Sequence, residues 1–250
     1  MILAIDIGNT RAKIGVCSST ELEEVLVTNT NNLADFLTNL LQEMPPSLRI
    51  QIAWTSVSRI ADLSDLKIWQ RFERHPYFLP INQQTSWPIV NKYASPETLG
   101  TDRIVGVIGA RAIQPEGPIL LIDAGTALTF ELLDRDNHYL GGGISPGIQM
   151  RLRSLHEFTA RLPLITATPA APLVGNTTES CIQAGVVGGI FAEVKGLIQQ
   201  YRSHFGEDLS VFLTGGDMSY FEKLGKNINF ADPNLILRGI HFILMQQLAQ

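Results

Sequence analysis

Two short stretches of this chain carry residue types that can do chemistry on a phosphate. The first is Asp6-Ile7-Gly8-Asn9-Thr10-Arg11-Ala12-Lys13, which follows a run of four apolar residues. A carboxylate at the end of a buried strand is costly unless a cation or hydrogen-bond donors meet it. The backbone N–H groups of Gly8, Asn9 and Thr10 form a concave run of donors that suits phosphate. Asp6 can hold a hydrated Mg²⁺ beside that phosphate, and Lys13 adds a point charge. The alternative is an edge hairpin whose Asp caps its own turn. The second stretch, Asp123-Ala124-Gly125-Thr126-Ala127, lies about half the chain further on and repeats the pattern. It too has an apolar strand before it, a Thr-bearing turn and an apolar return strand. Two such turns, one at the start of each half, indicate a duplicated domain whose turns face each other across a cleft. Such a cleft offers two sets of donors to one polyphosphate.

The elements that position these turns follow from hydrophobic spacing. Residues 2–16 read as a β-hairpin with a tight turn, and 22–28 as a third strand. Leu33, Phe36, Leu37, Leu40 and Leu41 have helical spacing behind asparagine caps. Residues 50–57 read as an apolar strand ending in Ser56-Val57-Ser58. A second amphipathic helix is expected over 63–72 and a short strand over 77–79. Residues 80–103 form a long polar loop with prolines at 80, 88 and 96, and loops of that length in a compact domain are often functional. Asp102 and Arg103 open a helix over 104–113 rich in small residues, with Asp102 either its N-cap or a functional carboxylate. Pro115-Glu116-Gly117-Pro118 reads as a linker. The expected domains are therefore 1–115 and 116–250.

In the second half, Gly141 to Gly147 closes a hairpin and opens a helix that runs on through 154–158. Residues 162–173 are broken by prolines. Asn176 to Glu179 opens a long helix over 180–199, whose Gly185, Gly188 and Gly189 imply close backbone packing, against another helix or a second subunit, since each glycine costs a helix about 1 kcal/mol against alanine. A strand over 209–213 ends in Thr214-Gly215-Gly216-Asp217, either a place where a flat ring approaches backbone or a plain turn. Asp232-Pro233 reads as a cap with proline at the first helical position, followed by a closing helix over 235–248.

Composition narrows the function classes. With 250 residues, 45% of them hydrophobic, the chain can build a sizeable core. A formal charge of −5 argues against a nucleic-acid-binding face. Cys17 and Cys181 make neither a disulfide framework nor a zinc spacing and fit a reducing cytoplasm. No basic leader precedes Asp6, and no apolar run reads as a membrane span. Gly143-Ile144-Ser145-Pro146-Gly147 matches Gly-x-Ser-x-Gly, but the residue after a nucleophilic serine must give its N–H to the oxyanion hole, and Pro146 has none. The chain carries no P-loop and no Gly-x-Gly-x-x-Gly fingerprint. Its five histidines form no ligand pair.

Taken together, the two Asp-x-Gly turns, the Gly215-Gly216 strand end and the long loop resemble the actin, sugar-kinase and heat-shock ATPase superfamily. More narrowly, the chain resembles the type III pantothenate kinases over nearly its full length. The segments that carry the resemblance are 6–13, Gly100-Thr101-Asp102-Arg103 with Tyr93 upstream, 123–127, 142–147, Thr178 ahead of Gly185, 213–216 and Leu237-Arg238-Gly239. The one departure is Ser56-Val57-Ser58-Arg59, which lacks a proline after Ser-Val.

The resemblance implies an α/β fold of two ribonuclease H-like domains, the duplicated actin-like ATPase fold with a central cleft. It implies a cytoplasmic enzyme that uses ATP and Mg²⁺ to phosphorylate pantothenate to 4'-phosphopantothenate, the first step of coenzyme A biosynthesis. Residues 6–13 and Thr126 would bind ATP. Asp102 would be the general base. Tyr93, Gly100, Thr101, Asp102, Arg103 and Thr178 would contact pantothenate, with Arg103 a plausible partner for its carboxylate. Asp123 would hold a monovalent cation, K⁺ or NH₄⁺. The protein would be a homodimer with the pantothenate pocket near the subunit interface, binding neither nucleic acid nor membrane. Phosphoryl transfer through a loose transition state needs positioning and charge neutralisation more than a strong base, so an Asp of ordinary pKa would serve. The alternatives are another small-molecule kinase of the superfamily and a non-catalytic regulatory protein of the same fold.

Overall fold

The computed structural model describes residues 1–57 and 62–249. Ser58 and Arg59, in the segment that departs from the expected pattern, lie outside the described residues. The chain divides into two units, Met1–Ile113 with Asn234–Gln250, and Gln114–Pro233.

The first unit contains β1 (Ile2–Ile7), β2 (Arg11–Cys17), β3 (Leu22–Asn29), α1 (Leu33–Gln42), β4 (Gln51–Ser56), β5 (Tyr77–Pro80), β6 (Val90–Asn91) and α2 (Thr101–Ile113). Its sheet has the order β3-β2-β1-β4-β5. β1 runs antiparallel to β2 and parallel to β4. Leu33, Leu37 and Leu41 of α1 are buried with Leu3, Ile5, Ile14 and Ile52 of the sheet. A strand covered in this way loses its alternation and reads as a continuous apolar run, which is why the approach to Asp6 is so plain in the sequence.

The second unit contains β7 (Ile119–Ala124), β8 (Ala127–Leu133), β9 (His138–Pro146), α3 (Ile148–Glu157), α4 (Thr178–Gln183), α5 (Gly189–Phe205), β10 (Ser210–Thr214) and β11 (Phe230–Ala231). These strands take the order β11-β10-β7-β8-β9. β7 is antiparallel to β8 and parallel to β10. Each unit thus carries one topology, an antiparallel three-strand meander whose first strand is extended on its other side by two parallel strands. This is the ribonuclease H-like arrangement twice over, the duplicated actin-like ATPase fold. Ile190, Val194 and Ile198 of α5 are buried with Leu120, Ile122 and Phe130 of the sheet.

The structure corrects several expectations. The closing helix, α6 (Leu235–Leu248), belongs to the first unit rather than to residues 116–250. Its backbone lies directly on α2: a Cβ on Gly109 would overlap the Leu235 carbonyl, and one on Gly239 would overlap the Val105 carbonyl. The small residues of α2 exist for this contact. Residues 63–72 form two short 3-10 turns instead of a helix, because Leu66 between them is extended and Trp69 Nε1 donates to the Leu63 carbonyl at 2.7 Å. Asn32 precedes α1 without a side-chain cap bond. The cap of α6 is Asn234, so Pro233 lies before the helix and not at its first position.

The stretch Thr178–Phe205 is long and apolar enough to pass for a membrane span by length and composition, which the sequence reading missed. It is not one regular helix. A π-helical turn, Ala184–Gly188, separates α4 from α5. Its glycines do not pack against another helix among the described residues of this chain, since a Cβ on Gly185, Gly188, Gly189 or Gly196 would meet nothing within 4 Å.

Candidate active site

The first Asp-x-Gly turn joins β1 to β2. Asp6 is half-buried and stands in register with Lys13 on β2 and with the buried Thr55 on β4. The Gly8 N–H donates to the Arg11 carbonyl at 3.0 Å and closes the turn. Asn9, Thr10 and Arg11 are exposed. Thr30 supports the turn from outside: its hydroxyl donates to the Gly8 carbonyl at 2.8 Å and its N–H to the Thr10 carbonyl at 3.0 Å. Ile7 and Ala12 are fully buried, so they hold the strands and leave Gly8 to Arg11 to offer polar groups.

Asp102 is tied to this strand end through two threonines. The Thr55 and Thr101 hydroxyls are 2.5 Å apart, both buried, linking β4 to the first residue of α2. Asp102 follows, inside the first helical turn and not at its cap. The Arg103 N–H donates to Asp102 Oδ1 at 2.9 Å. Burial pushes the Asp102 carboxyl above the ordinary 3.8, against the lowering effect of that N–H and of the Arg103 guanidinium. The expectation of an ordinary pKa is therefore corrected. The sequence could not show it, because the burial is tertiary. Gly100 has no side chain where a Cβ would sit 2.6 Å from Asp102 Oδ1. The Arg103 guanidinium lies over the Tyr93 ring, 5.6 Å from its centroid. The first unit thus brings Asp6, Thr101, Asp102, Arg103, Gly100 and Tyr93 into one connected set.

The second turn joins β7 to β8. It is tighter: the Gly125 N–H donates to the Ala127 carbonyl at 3.0 Å, and Thr126 is its exposed residue. Asp123 stands in register with Thr129 on β8 and with the buried Thr214 on β10. Two glycines enclose the turn. The Gly147 N–H donates to the Thr126 carbonyl at 3.1 Å, and a Cβ on Gly147 would overlap the Gly125 and Thr126 carbonyls. Gly215 has φ +98°, and a Cβ there would collide with Asp123 Oδ1 and the Ala124 carbonyl. Gly215 is therefore consumed by internal packing, while Gly216 remains open with nothing within 4 Å. The Asp217 N–H closes the loop onto the Ala124 carbonyl at 2.8 Å, and burial raises the Asp217 carboxyl.

Thr178 is exposed at the start of α4 and lines a cavity of about 870 Å³ in the second unit, together with Arg151, Leu155, Asn176, Cys181 and Gly185. Sequence reasoning missed Thr55 and Thr214, which occupy the same register position beside Asp6 and Asp123. The signal was present, since each ends an apolar strand, but it is legible only once the strand register is known. It also missed the enclosing role of Gly147 and Gly215.

The donor sets at Asp123 and Asp6 fit the cations that the resemblance implies. Asp123, with threonines on both flanking strands in its register, offers a carboxylate among hydroxyl oxygens, the hard donor set that suits a monovalent or alkaline-earth cation. Asp6 offers one carboxylate beside exposed backbone donors, which fits an Mg²⁺ that keeps most of its water and takes its other ligands from phosphate.

The family model described as type III pantothenate kinase matches residues 2–200. A type III pantothenate kinase of Christiangramia forsetii is 41% identical over 244 residues, covering 98% of each chain. One from Phocaeicola vulgatus is 38% identical over 245 residues, again covering 98% of each. Among solved structures, a Campylobacter jejuni protein assigned to the Baf family of transcriptional activators superposes with a TM-score of 0.65 at 20% identity, over 99% of this chain and 100% of its own. A Sinorhizobium meliloti protein assigned as a 2-dehydro-3-deoxygalactonokinase gives 0.56 at 13% identity, over 99% and 96%. At those identities the structural likenesses speak for the fold alone.

Proposed function

This chain belongs to the type III pantothenate kinase family, and on that premise we propose which of its residues perform the ATP-dependent phosphorylation of pantothenate. The observation that carries the assignment is the connected set in the first unit, where the Thr55–Thr101 contact joins β4, the parallel neighbour of the strand of Asp6, to the helix start of Asp102. Asp102 takes the proton from the acceptor hydroxyl. A carboxylate raised by burial is a better base than a solvated one, and it needs to accept the proton only late in a loose transition state. Arg103 holds the pantothenate carboxylate, its guanidinium plane braced by Tyr93. Gly100 and Thr101 shape that pocket, and Thr178 is a further pantothenate contact.

The turn 6–13 binds ATP phosphates through the N–H groups of the exposed Asn9 and Thr10 and through Lys13, the Gly8 N–H being used to close the turn. Thr126 contacts ATP at the second turn. Asp6 would hold Mg²⁺ through water, and Asp123 a K⁺ or NH₄⁺. When bound, these cations offset the negative charge carried by the phosphate oxygens.

The enzyme acts as a homodimer. Support comes from apolar side chains left in the open on the second unit: Phe158 is 85% exposed, Leu173 98% and Val174 81%. The open glycines at 185, 188, 189 and 196 leave room for close approach of a second backbone. Sedimentation that gave only monomer at micromolar concentration would count against this. Free Cys17 and Cys181 fit a cytoplasmic setting.

The deciding experiment is an ADP-release assay with ATP, Mg²⁺ and pantothenate, in K⁺ or in Na⁺ alone, on the wild type and Asp102→Asn. Loss of the base is expected to lower turnover by about 10²–10⁴-fold. An Asn variant of full activity would remove Asp102 from its role, and equal rates in K⁺ and Na⁺ would remove the monovalent site.

A further inference from the structure

Ser145 sits in the middle of the literal Gly-x-Ser-x-Gly match and has no nucleophilic role, yet its hydroxyl is firmly engaged. Arg151 Nη2 donates to it at 2.8 Å, and Arg151 Nε donates to the neighbouring Pro146 carbonyl at 2.7 Å. The same Nη2 donates to Glu193 Oε2 on α5 at 2.6 Å. The ion pair is about one-quarter exposed, 22% and 28% for its two side chains, so it is shielded from full solvent competition. One guanidinium thus ties three pieces of backbone together: the end of β9, the first turn of α3 and the middle of α5.

The end of β9 is the backing of the second Asp-x-Gly turn. Pro146 stands in register with Ala127, and Ser145 with Leu128. The next residue, Gly147, presses bare backbone against the Gly125 and Thr126 carbonyls. A shift of Ser145–Gly147 by a fraction of an ångström is transmitted directly to Thr126, because no side chain lies between to absorb it.

We infer that Arg151, held in turn by Glu193, is a positioning residue for the second turn and acts on ATP binding through Ser145–Gly147. The planar fork of a guanidinium is suited to this role, since it satisfies several acceptors in fixed geometry where an ammonium is a point charge. The inference rests on the reading that the second turn contacts ATP.

The test is steady-state kinetics of the full chain with ATP, Mg²⁺, K⁺ and pantothenate. Arg151→Met is expected to raise KM for ATP about tenfold and to leave KM for pantothenate within about twofold. Arg151→Lys recovers part of the loss, because it keeps the charge for Glu193 without bridging Ser145 and Pro146 together. Glu193→Gln gives a smaller rise in the same constant. The control is Arg135→Met, which breaks an exposed pair with Asp208 and should change neither constant. Thr126→Ala, run alongside, examines the underlying reading. If Thr126→Ala raises KM for ATP and a folded Arg151→Met does not, the positioning role is wrong and the ATP turn stands. If neither moves it, both fall. A rise confined to KM for pantothenate would make Arg151 an acceptor contact in the cavity it shares with Thr178, and would overturn the inference. Should Arg151→Met fail to fold, Arg151→Lys and Ser145→Ala carry the same comparison, with about a twofold to threefold rise in KM for ATP expected for Ser145→Ala.

Discussion

The two Asp-x-Gly turns occupy the same place in the same topology, yet their surroundings differ. Both carboxylates end the first strand of a meander, and both have a buried threonine beside them on the parallel neighbour, Thr55 for Asp6 and Thr214 for Asp123. Across the antiparallel ladder the likeness ends. Asp6 faces Lys13, whereas Asp123 faces Thr129. The first turn is longer, exposed and supported through the Thr30 side chain. The second is enclosed by the bare backbones of Gly147 and Gly215. Duplication copied the carboxylate and its threonine. What differs across the ladder is the residue opposite the carboxylate, a lysine for Asp6 and a threonine for Asp123; on the proposed reading, the second turn draws counter-charge from a bound cation.

Enclosure should show most strongly in stability. Gly215→Ala puts a side chain into the left-handed φ region and onto Asp123 Oδ1 and the Ala124 carbonyl. The expected cost is about 2–4 kcal/mol, read as a lower denaturation midpoint with accompanying loss of activity. Gly8→Ala in the open turn has ordinary φ and meets only the Arg11 carbonyl at 3.0 Å, so it should cost about 1 kcal/mol or less. Equal costs would mean that the turns do not differ in enclosure.

The charge difference predicts a different split. Asp123→Asn should lower kcat by about 100-fold and abolish the advantage of K⁺ over Na⁺. Asp6→Asn should also impair turnover, but it should leave the preference for K⁺ in place. The sharper variant is Thr129→Lys, which gives the second turn the cross-strand lysine of the first. It should reduce the stimulation by K⁺ severalfold, because the ammonium supplies what the ion did. A folded Thr129→Lys with undiminished K⁺ dependence would show that the cation does more at this turn than balance Asp123.

How much of this was legible beforehand follows from which forces are local. The apolar runs into Asp6 and Asp123 announce buried strands, and the glycines after them announce turns, so the duplicated fold and both carboxylates could be read directly. The long loop marked Asp102 and Arg103 by its composition. The destination of α6 could not be read, because it depends on Gly109 meeting Gly239 across more than half the sequence. Residues 63–72 have helical spacing, but Asp62 caps the first short turn through the Ser64 N–H and extended Leu66 ends it. Spacing describes which face is apolar and not whether the backbone stays helical. The glycines of 185–189 call for a close neighbour, another helix or a second subunit, and within this chain open space surrounds them. Local sequence fixes the need for an explanation there and leaves the partner unspecified.

The smallest effect extends the same contrast to Asp102, a carboxylate with a basic neighbour of its own. Burial raises its pKa above 3.8, and the Arg103 guanidinium pulls it partly back. On the proposed reading its ionised form is the catalytic base, so kcat should fall as pH drops through a value above 3.8. Stability moves the other way. The folded protein holds this proton more tightly than the unfolded chain does, so the cost of the buried charge, present above the folded pKa, is relieved as pH falls from there toward 3.8. Arg103→Met removes the lowering influence and should move the acid limb of kcat, measured at saturating pantothenate, to higher pH. It should also raise KM for pantothenate if Arg103 holds the substrate carboxylate. The two readouts separate the two roles. A limb that stays in place while KM rises would make Arg103 a substrate contact with no hold on the base.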